Sequence, residues 1–407
     1  MHMTEINSLI QMWVGKGLPR EHIFIKSADK PKTLSGLTRV YFRKWVVHPL
    51  KRKIAKYYLM VLRRFFGVKV VGITGSCGKT TTKDMLASIL KEATGSRIGS
   101  GMTAKKAPQR FPNGILGGES VVFSFANIDP VYNIPTTILK CAPGTRYLVL
   151  EMGVEYPGEM DYYLWLATPD IGVITNINPT HTEFFKNVDG VFTEKSKLVK
   201  ALPKTAMAVL NKNDTHLQKL AGKLKAKIVW FDGTDEKKVL LQNSDNLASV
   251  KTVARKLGVS EDKIKKGLAN FVPQDHRMKL IHHPSGAVIV DDSYNNNPKA
   301  ADFSIREFVK LAGKNQKSLI FGDMLELGSL EASEHRKIGD LITQIDFDQV
   351  ILVGKAVKNI KVPGAGYFST WQEARPAFEK LLVGGNYLLV KGSRSVGLEN
   401  LFHGVVY

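Results

Sequence analysis

The first stretch of this sequence whose residue types could do chemistry is GITGSCGKTTT, residues 72–82. Glycines let backbone amides approach phosphate oxygens, and a helix N-terminus adds partial positive charge there. On this pattern the Lys79 ammonium would reach the β- and γ-phosphates of a nucleotide. The Thr80 hydroxyl would serve Mg²⁺. Gly75, Ser76, Cys77, Gly78, Lys79, Thr80 and Thr81 are therefore nucleotide-binding candidates. The glycine spacing is shorter than the usual phosphate loop, since Gly75 lies only three residues before Gly78. Glu151 ends another apolar run, YLVLE, and its carboxylate suits Mg²⁺ or is simply an exposed strand-end acid.

Other chemistries find little support. No Ser-His-Asp arrangement has the context of a hydrolase, and no cysteine cluster suggests zinc. Cys77 lacks a paired general base, which argues against a nucleophile. Cys77 and Cys141 are the only cysteines; they cannot make a disulfide framework and suit a reducing compartment. MHMTEINSLIQMW lacks the marks of a signal peptide, so a cytoplasmic protein is expected.

The elements that must position these residues follow from periodicity. VKVVGIT, residues 68–74, reads as a buried strand, and TTKDMLASILKEA after the loop reads as a helix. Further strands are expected at 147–151, 171–175, 206–210 and 227–231, then at 287–291, 317–321, 349–353 and 387–391. Residues 251–270 read as helical. Strands alternating with helices argue for mostly parallel sheets. The 407 residues exceed one comfortable core. Three parts are expected: a basic, partly helical segment at 1–66, a central α/β domain with the phosphate loop at 67–270, and a C-terminal Rossmann-like α/β domain at 271–407.

The loop does not stand alone. LEMG (150–153), TNINPTHTEFF (175–185), TEKSKL (193–198), LNKND (210–214), HRM (276–278), DDSYNNNP (291–298), GDMLELG (322–328) and KGSR (391–394) follow it in order. Together with TGSCGKTTT they resemble the Mur ligase family, and the last three are closest to its D-alanyl-D-alanine-adding branch. The resemblance runs from about Val68 to Asn400. It implies an ATP- and Mg²⁺-dependent ligase that makes a substrate carboxylate an acyl phosphate and couples it to the amine of an amino acid or dipeptide, in cell-wall precursor synthesis.

The resemblance also implies residue roles. His181 would bind a second Mg²⁺. Lys195 would take up CO₂ and become a carbamate that ligates metal. Arg277 would reach phosphate, and Lys79, His181, Lys195 and Arg277 would form the catalytic set. Asn295 would contact the nucleotide, as would Asp292, which at a strand end can accept from ribose hydroxyls. Lys391, Ser393 and Arg394 resemble residues near the incoming peptide. Asp323 or Glu326 would hold its ammonium or cap a helix, and Asn127 would help shape the acceptor site. Asp129 and Pro130 depart from the family's usual polar pair, and Pro112 and Asn113 have no clear counterpart.

The first 66 residues do not match the family's N-terminal UDP-binding domain. This leaves open a lipid-linked acceptor or another amino-acid-containing polymer. Residues 1–70 hold nine Lys and six Arg against two Glu and one Asp, a surplus of 12 within a net charge of +21. At 100° per residue, Leu50, Ile54, Tyr57, Tyr58, Val61 and Phe65 share one helix face, with Arg52, Lys53, Lys56, Arg63 and Arg64 opposite. Such a helix packs on the body with a solvated basic face, lies on an anionic membrane through residues 39–66 at its inner face, or contacts nucleic acid. The last would make a nucleic-acid-binding NTPase, which the motif string disfavours. Pro49 is expected to divide the helix.

Overall fold

The computed structural model describes residues 8–24, 30–95, 118–125, 128–234 and 243–404. They group into two compact units. The first holds the described residues through Ile177, those from Phe192 to Thr234, and Asp245–Phe271. The second holds Asn178–Val191, residues 243–244, and the described residues from Val272 onward.

The first unit is built on six parallel strands: β1 (Lys69–Thr74), β2 (Val121–Phe123), β3 (Tyr147–Glu151), β4 (Ile171–Ile174), β5 (Met207–Asn211) and β6 (Lys227–Phe231). Their order is β2-β3-β1-β4-β5-β6. Five consecutive residues of β1 are buried, as expected of a central strand covered on both faces. Register pairs Ile73 with Glu151 on one side and with Val173 on the other, so the phosphate loop and Glu151 leave the sheet at the same level.

The helix Lys79–Thr94 buries Met85, Leu86, Ile89 and Leu90 at helical spacing and ends on Gly95 at φ 69°. Each such aliphatic burial contributes about 1.5–3 kcal/mol. The helix Glu261–Ala269 packs against it through Gly267, and Ser88 Oγ donates to the Gly267 carbonyl at 2.7 Å. A methyl on Gly267 would lie 2.5 Å from the Ile89 Cα, so this contact needs glycine for its closeness.

The second unit's sheet has β7 (Lys279–His282), β8 (Val288–Asp292), β9 (Gln316–Gly322), β10 (Gln349–Val353), β11 (Gly366–Phe368) and β12 (Asn386–Lys391). Its order is β11-β10-β9-β12-β8-β7, parallel except for β7 against β8. The short strands β2, β7 and β11 escaped the sequence reading, because three or four residues carry too little periodicity to register.

Residues Leu34–Phe42 and His48–Phe66 are helical and joined by a π-helical segment, Arg43–Val47. Pro49 lies where the π-helical segment passes into the second helix, and the chain continues as helix through it; the Trp45 carbonyl, four residues back, accepts instead from Trp13 Nε1 at 2.7 Å. The solvated-basic-face reading is reversed. Arg52, Ala55, Leu59 and Leu62 are buried, whereas Leu50, Ile54, Tyr57, Val61 and Phe65 are exposed.

Candidate functional site

In the first unit the loop between β1 and the helix Lys79–Thr94 is shaped by two glycines. Gly75 has φ 147° and Gly78 φ 79°, both in the region that side chains avoid. A Cβ on Gly75 would lie 1.9 Å from Thr175 Oγ1, and one on Gly78 would lie 2.3 Å from Asn246 Oδ1. The loop is clamped from the end of β4. The Asn176 carbonyl accepts from Ser76 N at 2.9 Å, and Asn176 Oδ1 accepts from Cys77 N at 3.0 Å. Thr175 Oγ1 donates to the Cys77 carbonyl at 2.6 Å. The amides of Ser76 and Cys77 are thus spent on Asn176. The first turn of the helix, whose N–H groups have no intrahelical acceptor, presents the remaining donors.

Lys79 Nζ folds back over the loop, 2.9 Å from the Gly75 carbonyl and 3.5 Å from that of Ser76. Gly153 of the LEMG run lies beneath it; a Cβ there would be 3.3 Å from Lys79 Cε. Thr80 Oγ1 donates to Glu151 Oε1 at 3.1 Å. Two adjacent oxygen donors fit a hard cation that keeps waters and phosphate oxygens in its remaining positions. Among the described residues, no group of three or more His, Cys, Asp and Glu is placed to hold a metal.

Lys195, on the helix Val188–Lys200, is fully buried, and its Nζ has no hydrogen-bond partner. Burial, and after it the Lys79 charge, hold its amine well below the ordinary lysine range. Such a lowering favours the neutral amine, the form that can attack CO₂. Its neighbour Glu194 is spent on structure, accepting from Gly158 N and Met160 N at 3.0 Å each.

By its contacts His181 groups with the second unit. It pairs with Glu326 at 2.5 Å, while Glu183 N donates to the Glu326 carbonyl and Thr182 Oγ1 to that of Leu327. The His181 hydrogen bond holds the Glu326 carboxyl below its usual range. His181 (φ 53°) and Glu326 (φ 62°) both adopt left-handed backbone, at roughly 1–2 kcal/mol each. Strain of that size persists only where surrounding contacts hold it.

Also in the second unit, Asp292 ends β8. Its Oδ1 accepts from Met278 N at 3.2 Å, its Oδ2 accepts from Ser304 Oγ at 2.6 Å, and it pairs with Lys391 at 3.0 Å. Lys391 is 1% exposed and also donates to the Asn295 carbonyl. Its ammonium is therefore engaged inside the protein. Asn295 Oδ1 accepts from Asn296 N, ordering that turn.

Ser393 Oγ donates to the Asp323 carbonyl at 2.7 Å, and the Asp323 carboxylate accepts from Lys355 N and Val357 N. Asp323 is a cap, but for the turn after β10 and not for the helix that follows it in sequence. The guanidiniums of Arg277 and Arg394 lie 4.1 and 5.3 Å from the Tyr294 ring centroid, and Arg277 Nε is buried without a partner. Tyr294 is a site feature that sequence reasoning passed over, although it stands inside DDSYNNNP. Thr175 and Asn176 were likewise quoted only as motif letters. Their role needs the parallel pairing of β1 with β4.

Upstream, Asp129 caps the helix Pro130–Ile138 through Val131 N. Asn133 is buried and bonds the Phe125 backbone. Asn127, Pro112 and Asn113 lie outside the described residues.

Residues 73–271 match the Mur ligase middle domain, and residues 276–394 the Mur ligase glutamate ligase domain. The chain is 27% identical over 383 residues to the UDP-N-acetylmuramoyl-tripeptide--D-alanyl-D-alanine ligase of Bacillus subtilis, covering 86% of this chain and 78% of that protein. It is 25% identical over 376 residues to the Escherichia coli enzyme of that name, covering 84% and 77%. The fold is similar to MurF from Acinetobacter baumannii, with a TM-score of 0.73 and 24% identity, covering 88% of this chain and 80% of that one. It is also similar to MurF ligase from Thermotoga maritima in complex with ADP, with a TM-score of 0.71 and 24% identity, covering 93% and 85%.

Proposed function

Since the chain belongs to the Mur ligase family, we propose that it couples a precursor carboxylate to the amine of a dipeptide, with D-alanyl-D-alanine and a muramoyl tripeptide as the first pair to test. It is an ATP-dependent ligase that forms a C–N bond in cell-wall precursor synthesis. The observation that carries the reading is the loop itself: Lys79 and Thr80 at the end of a central parallel strand, with Thr80 bonded to Glu151 from the neighbouring strand.

On this reading Lys79 and the helix N-terminus bind the phosphates of ATP, and Gly75, Ser76, Cys77, Gly78 and Thr81 shape the cradle. Thr80 and Glu151 would hold one Mg²⁺ and His181 would bind a second; the ions would supply charge neutralisation. The γ-phosphate passes to the carboxylate oxygen, with ADP leaving. The amine attacks the acyl phosphate and releases phosphate, so a poor leaving group has become a good one. Arg277, Asp292 and Asn295 are proposed nucleotide contacts. Arg394, Glu326, Asp323, Ser393, Lys391 and Asn127 are proposed to shape the substrate side; for Lys391, Ser393 and Asp323 the internal bonds described above make that an indirect, positioning role.

Lys195 is proposed to carry the carbamate, supported by its buried, unpartnered amine. Labelled ¹³CO₂ should give a carbamate carbon resonance that Lys195→Met lacks. The same signal in both proteins would reject the assignment. We also place the enzyme in the cytoplasm, peripheral at the inner face of the membrane.

A coupled ADP-release screen over acceptors and amines, with mass detection of product, tests the function. Turnover with UDP-muramoyl tripeptide and D-alanyl-D-alanine is the expected result. Turnover only with a different pair would sink the substrate assignment and leave the ligase chemistry standing.

A further inference from the structure

The helix His48–Phe66 is apolar on the face it shows to water. Leu50, Ile54, Tyr57, Val61 and Phe65 are all exposed, Phe65 by 73%, and Phe42 continues the stripe upstream at 57%. A contiguous apolar stripe of this length on the surface marks an interaction site. The opposite side is what the body takes, and polar groups do much of the holding. Arg52 Nη1 donates to the Val14 carbonyl at 2.9 Å, and its guanidinium lies over the Tyr162 ring. Arg63 pairs with Asp170 at 2.8 Å, Lys51 Nζ donates to Thr136 Oγ1, and Tyr58 Oη donates to the Cys141 carbonyl. Turning the helix to bury its stripe would break all of these bonds. The outward stripe is thus a property of how the helix is fastened.

We propose that Leu34–Phe66 lies in the plane of an anionic lipid bilayer, with this stripe sunk among the upper acyl chains and its flanking arginines on the headgroups. The choice of occupant rests on charge. Residues 34–66 contain nine Lys and Arg and no Asp or Glu. Arg39, Arg43 and Arg64 are exposed beside the stripe. A second copy docked through the same face in a two-fold contact would set this cationic surface against itself. A lipid surface of phosphate headgroups complements it. None of the described helices is long and apolar enough to cross a membrane, which fits an in-plane helix held by apolar insertion plus charge. The inference does not depend on which carboxylate the enzyme activates.

Flotation of the full chain tests it, using vesicles of phosphatidylcholine alone or with about one-third phosphatidylglycerol. The wild-type chain should float with the anionic vesicles and keep part of that binding at high salt, because apolar insertion is not screened. The double variant Ile54→Glu/Val61→Glu should bind about 100-fold more weakly. Both positions are exposed, so its thermal midpoint should match the parent's. Arg39→Gln/Arg43→Gln should lose its preference for anionic over neutral vesicles. Equal flotation of Ile54→Glu/Val61→Glu and wild type, or no flotation of either, would overturn the proposal. So would a lipid-free dimer that Ile54→Glu/Val61→Glu abolishes, which would make the occupant a second copy.

Discussion

Two lysines, one in each unit, are buried at about 1% exposure or less and solve the same problem in opposite ways. Lys391 sits against the Asp292 carboxylate and the Asn295 carbonyl, so its charge is answered by the protein. Lys195 has no acceptor, and burial holds its amine well below the ordinary lysine range. Burying an unpaired ammonium costs several kcal/mol. The first lysine offsets that cost with a partner; the second has none, and the same cost lowers its pKa. A paired ammonium is a structural tie, whereas an unpartnered buried amine is what the proposed carbamate requires. Burial and charge alone would rank the two together; the partner list separates them.

Substituting each lysine by methionine, which is close in shape, should split the two properties. Lys195→Met should lower turnover about 1,000-fold, roughly 4 kcal/mol of barrier. Its thermal midpoint should hold or rise, since an unpaired amine has been replaced by an apolar group. Retained turnover in steady-state assays would remove Lys195 from the chemistry. Lys391→Met should instead destabilise the fold by about 3–5 kcal/mol, because Asp292 is left with an unanswered charge. Urea unfolding measures this, and an unchanged midpoint would show that Lys391 is no tie.

Asn176→Ala tests whether the first unit's loop is held by its clamp. The Ser76 bond to the backbone carbonyl survives, but the side-chain bonds to Cys77 are lost. The KM for ATP should rise about tenfold with less change in kcat. An unchanged KM would mean that the two glycines alone set the loop. The smallest effect concerns the wiring around β8. A hydrogen bond to Asp291 raises the His276 pKa above its ordinary value. Its stabilisation is therefore complete below the unfolded value and is lost as pH rises through the folded one. The stability gap between wild type and His276→Gln should shrink from about pH 6 to about pH 8. A gap that stays constant across that range would rule out the linkage.

Much of the fold was legible because it is written in long apolar runs. YLVLE, KIVWF and QVILV became β3, β6 and β10 with the expected bounds. The loop was legible because glycine is the residue suited to φ 147° and 79°, found at positions 75 and 78. The orientation of the helix His48–Phe66 was not. Periodicity separates an apolar from a basic face, and the general rule then buries the apolar one. Here Tyr162, Asp170 and the Val14 and Cys141 carbonyls supplied partners that the helix's own sequence does not contain, and they drew Arg52, Arg63 and Tyr58 inward.

The sequence by itself determined the chemistry on offer. A phosphate loop, a strand-end carboxylate and an ordered string of motifs belong to one ligase family, because residue type and local spacing are enough to set a turn, a helix start or a strand. It could not say which polar groups are answered. Residue type and spacing do not show that Lys195 and Lys391 are buried, since burial and partners are decided by segments far apart in sequence. Only the tertiary structure left one amine alone, gave the other a carboxylate, and turned an apolar stripe toward the outside.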